Sequence, residues 1–415
     1  MSPAFSFKCS ICGSDYGQYE LQYTCPKDGG NLNILLDYDA IRRKYQIGDI
    51  TSRTDFSLWR YLPLLPVDDP HGEGTTFHMA GWTPVYTPIS LRKKLNLENL
   101  WIKDEGKNPT ASFKDRASAV VIAHAREIGA EVVVTASTGN AGAALAGMAA
   151  AIGQKSVIFA PRTAPPAKVA QLLIYGADVI LVDGNYDQAF DLTIQAAHEF
   201  GWYCRNTGYN PFTVEGKKTA AFEIWETVIL KLPEPKQPLN VFIPVGDGNI
   251  ISGIHKGFKD LLALNWLEQM PRLFGIQSEG SAAIANAFFA RSEIIQPVHA
   301  NTIADSISVD LPRDGVRAVR SATQTGGAFL TVKDEDIIKA IAELGKSGIF
   351  AEPAGAAAFA GLQKAVSEGI IHKEDPVLVL NTGSGLKDIH SAMRAVKEAP
   401  VIEPTMISLR KYLGK

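Results

Sequence analysis

The sequence predicts an α/β protein with two parallel β-sheets, each covered by helices on both faces, and a short appendage at the N-terminus. Predicted strands and helices alternate along most of the chain after residue 80. The strands lack polar alternation, which is typical of parallel sheets that are buried on both faces. The chain has 415 residues, more than one hydrophobic core usually holds, so we expect two domains plus the appendage.

Charge and cysteine content exclude several classes of protein. Lys and Arg total 41 against 44 Asp and Glu, for a net charge of -3, so the chain lacks the basic field that attracts nucleic acid or anionic lipid. No apolar stretch is long enough to cross a bilayer, and the first residues lack the pattern of a secretory signal. Four cysteines do not form a disulfide framework here, and Cys204 is expected in the core. We therefore expect a cytoplasmic protein without nucleic-acid or membrane partners.

Residues 1–36 resemble a degenerate zinc ribbon. Cys9 and Cys12 form one pair of candidate ligands, Cys25 begins a second pair, and Asp28 stands at the fourth ligand position. Zinc ribbons close the ion with four ligands, which are normally thiolate or imidazole. The segment either binds zinc or keeps the turns of a ribbon without metal. Because a carboxylate is the less usual ligand, the second interpretation is favoured and no metal ligand is assigned.

The later elements form two series separated by a Pro-rich segment at 230–240. The first series has strands at 100–106, 131–137, 155–161 and 177–183, and helices at 113–128, 140–152, 167–175 and 185–200; the second has strands at 239–246, 273–279 and 376–383. Buried strands separated by helices favour parallel sheets. The predicted division is a connecting arm with the start of the large domain (37–110), a smaller α/β domain (111–235), the large domain (236–400) and a C-terminal tail (401–415).

The segment NPTASFKDR (108–116) places Lys114 at a helix start, after a strand and a Pro-containing turn. Open α/β sheets bind ligands at such strand ends, so Lys114 can reach into a cleft. A lysine becomes a nucleophile when burial or nearby cations favour its neutral form. Taken alone, Lys114 is more simply explained as a solvated surface lysine.

The segment ASTGNAG (136–142) joins a strand to an alanine-rich helix and contains Ser137, Thr138 and Asn140. Backbone N–H groups at a helix N-terminus bind anions, so this turn suits a substrate carboxylate. The alternative is an N-cap cluster that only starts the helix, and this segment alone favours the alternative.

Two further turns are rich in glycine. In PVGDGNIISG (244–253), the glycines let the backbone approach a phosphate closely, whereas Asp247 is compatible with an anion only if its side chain points away. In LNTGSGLKD (380–388), Thr382 or Ser384 can offer a hydroxyl to a ring nitrogen of a cofactor. Each turn alone is equally explained as a helix cap.

Together and in this order, the four segments resemble the threonine synthase family of fold-type II pyridoxal-phosphate enzymes, which have the tryptophan synthase β-like fold. The resemblance covers about residues 80–395. NPTASFKDR is similar to the family's NPT-G-SFKDR, with Ala111 where glycine is usual. TGSGLKD is similar to its TG-x-GLKD, and residues 206–219 are similar to its N-S-x-N-P-x-R-x-x-G-Q-K-T segment.

The resemblance implies a lyase with pyridoxal 5′-phosphate bound mainly by the large domain. It implies that Lys114 forms a Schiff base with the cofactor and later moves protons, that Asn140 faces the ring hydroxyl, that Gly246, Asp247, Gly248 and Asn249 hold the phosphate, that Thr382 meets the pyridine nitrogen, and that Ser137, Thr138, Asn206 and Thr207 contact the substrate. The family converts O-phosphohomoserine and water to threonine and phosphate by γ-elimination and β-addition, and forms homodimers.

Three departures from the family pattern concern the substrate. The arginine that clamps the substrate phosphate is replaced by Thr213, and a second arginine by Ser308. The phosphate-binding loop GDGN (246–249) is shorter than the loop of threonine synthases and resembles the four-residue loop of serine/threonine dehydratases more closely. Lys217 or Lys218 is the candidate replacement for the first arginine, and Thr213→Arg is expected to improve use of a phosphorylated substrate.

These departures keep other interpretations open. One is a β-eliminating or β-replacing enzyme, such as a serine/threonine dehydratase, a diaminopropionate-type ammonia-lyase or a synthase acting on O-activated serine. The other is a scaffold that kept the fold without catalysis. A scaffold has no physical need for Lys114 beside an anion cradle, so an enzyme is favoured.

Overall fold

The computed structural model describes residues 3–164, 166–233 and 237–415. The described residues form a small antiparallel sheet, a four-stranded parallel sheet and a six-stranded sheet, and the predicted α/β class is confirmed. The predicted boundary between residues 235 and 236 lies outside the described residues, and the domain division stays a prediction. Among the described residues, no helix combines the length and the apolar character needed to cross a membrane.

The N-terminal segment, which we call the ribbon (residues 3–36), folds as an antiparallel sheet in the order β2-β1-β3. Its elements are β1 (Phe5–Cys9), β2 (Asp15–Gly17) and β3 (Leu32–Leu36), and the helices α1 (Tyr38–Lys44) and α2 (Ile47–Thr51) follow it. Alternate side chains of β1 and β3, among them Phe7 and Ile34, are buried in the main core. The ribbon is therefore packed against the rest of the protein.

The next stretch contains the start of the six-stranded sheet and the whole four-stranded sheet. Its elements are β4 (Val85–Tyr86), α3 (Ile89–Leu95), β5 (Asn99–Asp104), α4 (Lys114–Glu127), β6 (Val132–Ala136), α5 (Asn140–Ala151), β7 (Lys155–Pro161), α6 (Pro166–Ile174), β8 (Asp178–Val182), α7 (Tyr186–Phe200) and β9 (Tyr203–Cys204). The four-stranded sheet has the order β8-β7-β6-β9 and is parallel throughout.

The remaining elements complete the six-stranded sheet. They are α8 (Phe212–Thr227), β10 (Asn240–Pro244), α9 (Asn249–Ala263), β11 (Arg272–Ser278), α10 (Ala283–Phe289), α11 (Gly315–Thr325), β12 (Ala328–Val332), α12 (Asp334–Lys346), α13 (Pro353–Ser367), β13 (Pro376–Asn381), α14 (Ile389–Arg394) and α15 (Met406–Leu413). The order is β12-β11-β10-β13-β5-β4, and of these strands β4 alone pairs antiparallel.

Both parallel sheets are covered on two faces, as their buried strands predict. Successive residues of a strand point to opposite faces. In β7, Phe159 packs with α7, whereas Ile158 packs with α5 and α6. In β10, Val241 belongs to the core with α9 and α11, whereas Phe242 belongs to the core with α12 and α13. Each sheet is therefore the middle of three layers.

A buried network of charged side chains joins β5, α4 and α8. The Arg116 guanidinium donates to Glu105 (Nε–Oε2 2.7 Å) and to Glu223 (Nη2–Oε2 2.7 Å), and Lys103 Nζ donates to Glu223 (2.6 Å). All four side chains are almost completely buried. Buried charges are tolerated only when they are paired in this way. The network holds the first turn of α4, which begins at Lys114.

Candidate active site

A cleft of about 520 Å³ opens where strands of both parallel sheets end. Ser137, Gly246 and Thr382 lie just after β6, β10 and β13, and all three line it. Residues 305–311 and Glu352 also border the cleft. The carboxyl ends of parallel strands are the usual ligand site of open α/β folds, and the volume suits a small molecule.

Lys114, the first residue of α4, lines this cleft. Its loop is tied to the loop after β13 by two backbone hydrogen bonds. The Phe113 N–H donates to the Thr382 carbonyl (2.9 Å), and the Ser384 N–H donates to the Ala111 carbonyl (3.0 Å). Two motifs that are far apart in sequence are therefore joined directly.

The electrostatic setting of Lys114 favours a neutral amine. Burial, followed by the positive charge of Arg205, lowers the pKa of Lys114 to about 8, although the carboxyl groups of Asp247 and Glu352 act in the opposite direction. An ordinary lysine has a pKa near 10.4, so Lys114 has a much larger neutral fraction at neutral pH. This is the form that attacks a carbonyl carbon.

The turn after β6 is tight and leads directly into α5. A side chain at Gly142 would come 2.1 Å from the Ser137 carbonyl oxygen, so the turn requires glycine there. The Asn140 amide donates to both oxygens of Glu352 (2.9 and 3.0 Å) and to Ser306 Oγ (3.2 Å). The α5 N-terminus and the oriented amide of Asn140 both face the cleft, where they can hold an anion or an oxygen atom.

The glycine-rich turn forms a second anion site. Gly248 has φ +89° and precedes α9, whose N-terminal N–H groups border the cleft. A side chain at Gly246 would come 2.7 Å from the Ile307 Cα, and one at Gly248 would come 2.6 Å from the Asp314 carbonyl oxygen. The close approach of these backbones explains why both positions are glycine.

Asp247 fits this turn because its carboxyl group is engaged elsewhere. Its Oδ1 accepts a hydrogen bond from the Arg313 N–H (2.7 Å), and its carbonyl oxygen accepts one from the Asp314 N–H (3.0 Å). Burial also raises the pKa of Asp247, which reduces the cost of an anion nearby. The side chain is therefore bonded to the neighbouring loop.

Asn249, the first residue of α9, is held from α8. Its Oδ1 accepts hydrogen bonds from Thr213 Oγ1 (3.3 Å) and from the Lys217 amine, which lies one helical turn further along. Lys218 instead pairs with Asp260 (2.8 Å) in a separate buried cluster. Of the two lysines considered as replacements for the family's arginine, Lys217 therefore reaches the cradle.

The cleft brings together nearly all residues predicted to form the site. Its lining includes Lys114, Ser137, Thr138, Asn140, Thr207, Gly246, Asp247, Gly248, Asn249 and Thr382. Asn206 does not belong to the lining in the described part of the chain. Its Oδ1 accepts from the Ala136 N–H (2.8 Å) and Thr135 Oγ1 (3.0 Å), so it supports the end of β6 rather than contacting a ligand.

Glu352, Ser306 and Arg313 are among the lining residues that were not predicted. The local signal at Glu352 is Pro353, a typical first helical residue, which predicts a helix start and not a site. Ser306 lies in a single 3-10 turn, Asp305–Ile307, and Arg313 lies in the loop just before α11, in a stretch without periodic pattern. Arg313 also pairs with Asp187 (3.2 Å), which precedes it by more than a hundred residues.

Comparisons with known proteins identify relatives over the whole chain. Residues 77–383 match the family described as pyridoxal-phosphate dependent enzyme. A threonine synthase of Methanocaldococcus jannaschii is 40% identical over 410 residues, covering 98% of each chain. A threonine synthase of Methanosarcina acetivorans is 35% identical and covers 99% of this chain and 98% of its own.

Solved structures agree on the fold. Threonine deaminase isoform 2 from Solanum lycopersicum matches with a TM-score of 0.64 at 22% identity, over 76% of this chain and 88% of its own. Diaminopropionate ammonia lyase from Escherichia coli matches with a TM-score of 0.65 at 20% identity, over 80% of this chain and 93% of its own. At these identities the likeness concerns the fold alone. The chain therefore belongs to the pyridoxal-phosphate-dependent enzymes and, within them, to the threonine synthase family.

Proposed function

We propose that this protein is a threonine synthase that converts O-phosphohomoserine and water to L-threonine and phosphate. The observation that carries the proposal is the position of Lys114 in a cleft between two helix N-termini, those of α5 and α9. The two N-termini suit the carboxylate of an amino acid and a phosphate group. The relatives named threonine synthase, at 35–40% identity, support O-phosphohomoserine as the substrate.

The residues of the cleft fit pyridoxal 5′-phosphate. Lys114 Nζ is the attachment point, because its lowered pKa supplies the neutral amine that a Schiff base requires. Gly246, Asp247, Gly248 and Asn249 offer the phosphate a cradle that side chains would fill at both glycines. Asn140 offers an amide and Thr382 a hydroxyl to the ring.

When bound, the cofactor supplies an electron sink that stabilises negative charge at the carbons of the substrate. Lys114 Nζ is the group that takes and returns protons at these carbons. Ser137 and Thr138, with the N–H groups at the start of α5, bind the carboxylate and so fix which bond lies near the amine. Glu352 keeps the Asn140 amide turned towards the cleft.

The substrate phosphate needs a cation that does not come from position 213 or 308. Lys114 and Arg313 are the basic residues among the cleft lining that the structure describes, and Lys217 lies directly behind Asn249. We assign Arg313 to direct contact with the phosphate, since guanidinium groups match phosphate geometry. Burial, followed by the positive charges of Lys114 and Arg205, lowers the pKa of Lys217, so Lys217 contributes a hydrogen-bond donor beside the cradle at the place from which the family's arginine is missing.

The test is a substrate panel with paired phosphate and ammonia assays on the purified protein. Threonine and phosphate in equal amounts from O-phosphohomoserine are expected. Deamination of serine or threonine, without phosphate release from O-phosphohomoserine, would instead identify a dehydratase. Lys114→Ala should abolish the yellow colour of the bound cofactor, while Lys107→Ala, at an exposed lysine nearby, should retain colour and rate.

A pair of variants at Thr213 and Lys217 gives a sharper test of the phosphate site. Thr213 is fully buried beside the Lys217 amine, so Thr213→Arg alone would place a buried guanidinium against a lysine whose pKa is already lowered by burial and by Lys114 and Arg205. This revises the expectation that Thr213→Arg improves activity. We expect the single variant to lose roughly tenfold in kcat/KM, about 1.4 kcal/mol, and Thr213→Arg with Lys217→Gln to recover most of it. A single variant as active as the double variant would contradict this account.

We also propose that the protein is a cytoplasmic homodimer. The family resemblance supports this, and so do apolar side chains that a single chain leaves exposed near its C-terminus, among them Val401, Met406 and Ile407. Burial of such side chains is the usual reason for a symmetric subunit contact.

A further inference from the structure

Four side chains of the ribbon meet outside the cleft lining. The candidate ligand atoms of Cys9, Cys12, Cys25 and Asp28 all lie within 4.8 Å of one another. The sulfur atoms of Cys12 and Cys25 are 3.7 Å apart, and Cys9 Sγ lies 3.3 Å from Asp28 Oδ1. A tetrahedral zinc ion, with bonds of about 2.3 Å to sulfur and 2.1 Å to oxygen, separates its sulfur ligands by about 3.8 Å and sulfur from oxygen by about 3.6 Å. The observed spacings are close to these values.

The four side chains come from two turns of the same shape, residues 9–14 and 25–30, which we call the knuckles. In each, the N–H of the first cysteine donates to the carbonyl five residues later, Cys9 to Ser14 and Cys25 to Gly30, at 2.9 Å in both cases. A glycine in the left-handed region follows the second ligand position: Gly13 has φ +73° and Gly29 has φ +69°. Asp28 therefore occupies in the second knuckle the position of Cys12 in the first.

Backbone N–H groups point at the ligand atoms in both knuckles. The Ile11 N–H donates to Cys9 Sγ (3.3 Å), and the Gly30 N–H donates to Asp28 Oδ1 (2.9 Å). Donors of this kind stabilise thiolate and carboxylate, the forms that bind a metal ion, and orient them. The backbone thus favours charge on a cluster that would repel itself without a cation.

Nearby side chains balance the remaining charge. Three thiolates and one carboxylate leave a zinc site with an excess of negative charge. The Arg320 guanidinium donates to the Ser10 carbonyl within the first knuckle, and Lys27 Nζ donates to Ser14 Oγ (2.8 Å). Both cations therefore lie on the knuckles themselves, where they offset this excess.

The strands of the ribbon pack on the main core, but residues 11–13 and 26–29 of the knuckles are exposed, so burial does not hold these turns closed. Its three strands have five, three and five residues. The four cysteines are free thiols in this structure, so a metal ion is the remaining cross-link for the knuckles.

We propose that Cys9, Cys12, Cys25 and Asp28 bind one structural zinc ion. The carboxylate completes a closed four-ligand site, so the ion has no open position for catalysis. This replaces the interpretation, favoured by the sequence alone, of a ribbon that keeps its turns without metal. The proposal does not depend on the reaction that the cleft carries out.

Metal content of the full-length protein tests the proposal directly. One zinc per chain is expected by elemental analysis after gel filtration. Replacement by Co²⁺ should give visible ligand-field bands of tetrahedral thiolate coordination, at longer wavelengths than the cofactor absorbs. Protein without zinc that also binds no Co²⁺ would overturn the proposal, and so would an oxidised Cys12–Cys25 pair in a thiol titration.

Variants identify the ligands. Cys12→Ser removes an exposed cysteine and should lose the metal, whereas Cys204→Ser, at a cysteine outside the cluster, should retain one zinc per chain. Asp28→Ala should release zinc to a chelator roughly tenfold faster or more, and Asp28→Cys should release it more slowly than the natural chain. Cofactor absorbance monitors folding in every variant. Unchanged release from Asp28→Ala would exclude Asp28 as the fourth ligand.

Discussion

Ala111 has a backbone conformation that the rest of the Lys114 loop imposes on it. Its φ is +64°, and its carbonyl oxygen is held by the Ser384 N–H. The left-handed region costs alanine about 1–2 kcal/mol, because Cβ approaches a carbonyl oxygen. The family's glycine at this position has no such cost. The departure seen in the sequence is therefore a local strain beside the site.

Ala111→Gly should stabilise the protein. The substitution removes the strain of the left-handed conformation, about 1–2 kcal/mol. Glycine also loses more conformational entropy on folding, which costs about 0.5–1 kcal/mol. The free energy of unfolding should therefore rise by about 0.5–1 kcal/mol. Urea unfolding followed by circular dichroism measures it. Ala130→Gly, at an alanine without positive φ, is the control and should destabilise. A lower unfolding midpoint for Ala111→Gly would contradict the argument.

The pKa of Lys114 predicts how cofactor uptake depends on pH. Because the pKa of Lys114 lies at about 8, the neutral fraction of its amine falls about tenfold for each pH unit below 8. The control reaction is that of the cofactor with a free lysine derivative. The rate of cofactor uptake by the cofactor-free protein, divided by the rate of this control reaction, should fall above pH 8. Above that pH Lys114 is already mostly neutral, whereas the neutral fraction of the free amine still rises. The division removes the cofactor's own titration. A ratio that stays constant from about pH 7 to 10 would mean an unshifted lysine.

Single residues were predictable where a motif carried them. Lys114, Asn140 and Thr382 line the cleft because each follows a strand end that the sequence marks clearly. Glu352 and Arg313 were not predictable, since their contacts with the cleft depend on tertiary packing. A family pattern transfers the turns of a site more readily than the side chains that support them.

The elements joined by the buried charge network form the rigid base of the site. Arg116→Met would leave Glu105 and Glu223 buried with Lys103 as their remaining cation. Loss of one partner from a buried network costs about 3–5 kcal/mol. The free energy of unfolding from urea titration should fall by this amount. Arg126→Met, at an exposed position of α4, should change it by less than about 0.5 kcal/mol, and equal losses would refute the role of the network.

The sequence predicted the bounds of strands with buried β-branched residues closely. It did not predict the helix α8, which is rich in charged residues. The strand at 155–161 has the predicted bounds. Helix α8 was not among the predicted elements, although its first half lies in the recognised segment 206–219. Glu215, Lys217 and Lys218 are buried there, paired with residues of α9. A charge pattern does not reveal partners that arrive from a distant part of the chain.

At the scale of the whole molecule, the C-terminal tail is largely exposed on its own chain. Helix α15 has no buried residue. If its apolar side chains lie between subunits, a chain ending at residue 400 should have half the mass of the full chain in multi-angle light scattering. Cofactor absorbance controls for folding. Equal masses would assign the subunit contact to another surface.

The ribbon and the phosphate cradle are connected through Arg317. Its guanidinium donates to the Leu32 carbonyl in the ribbon (3.2 Å) and to both oxygens of Asp314 (2.6 and 2.8 Å), and Asp314 accepts from the Asn249 amide (2.7 Å). Coupling between two binding sites is reciprocal, so if zinc in the ribbon tightens cofactor binding through these contacts, the cofactor tightens zinc binding by the same factor. Supply of a trace metal and supply of a vitamin would then act on one equilibrium.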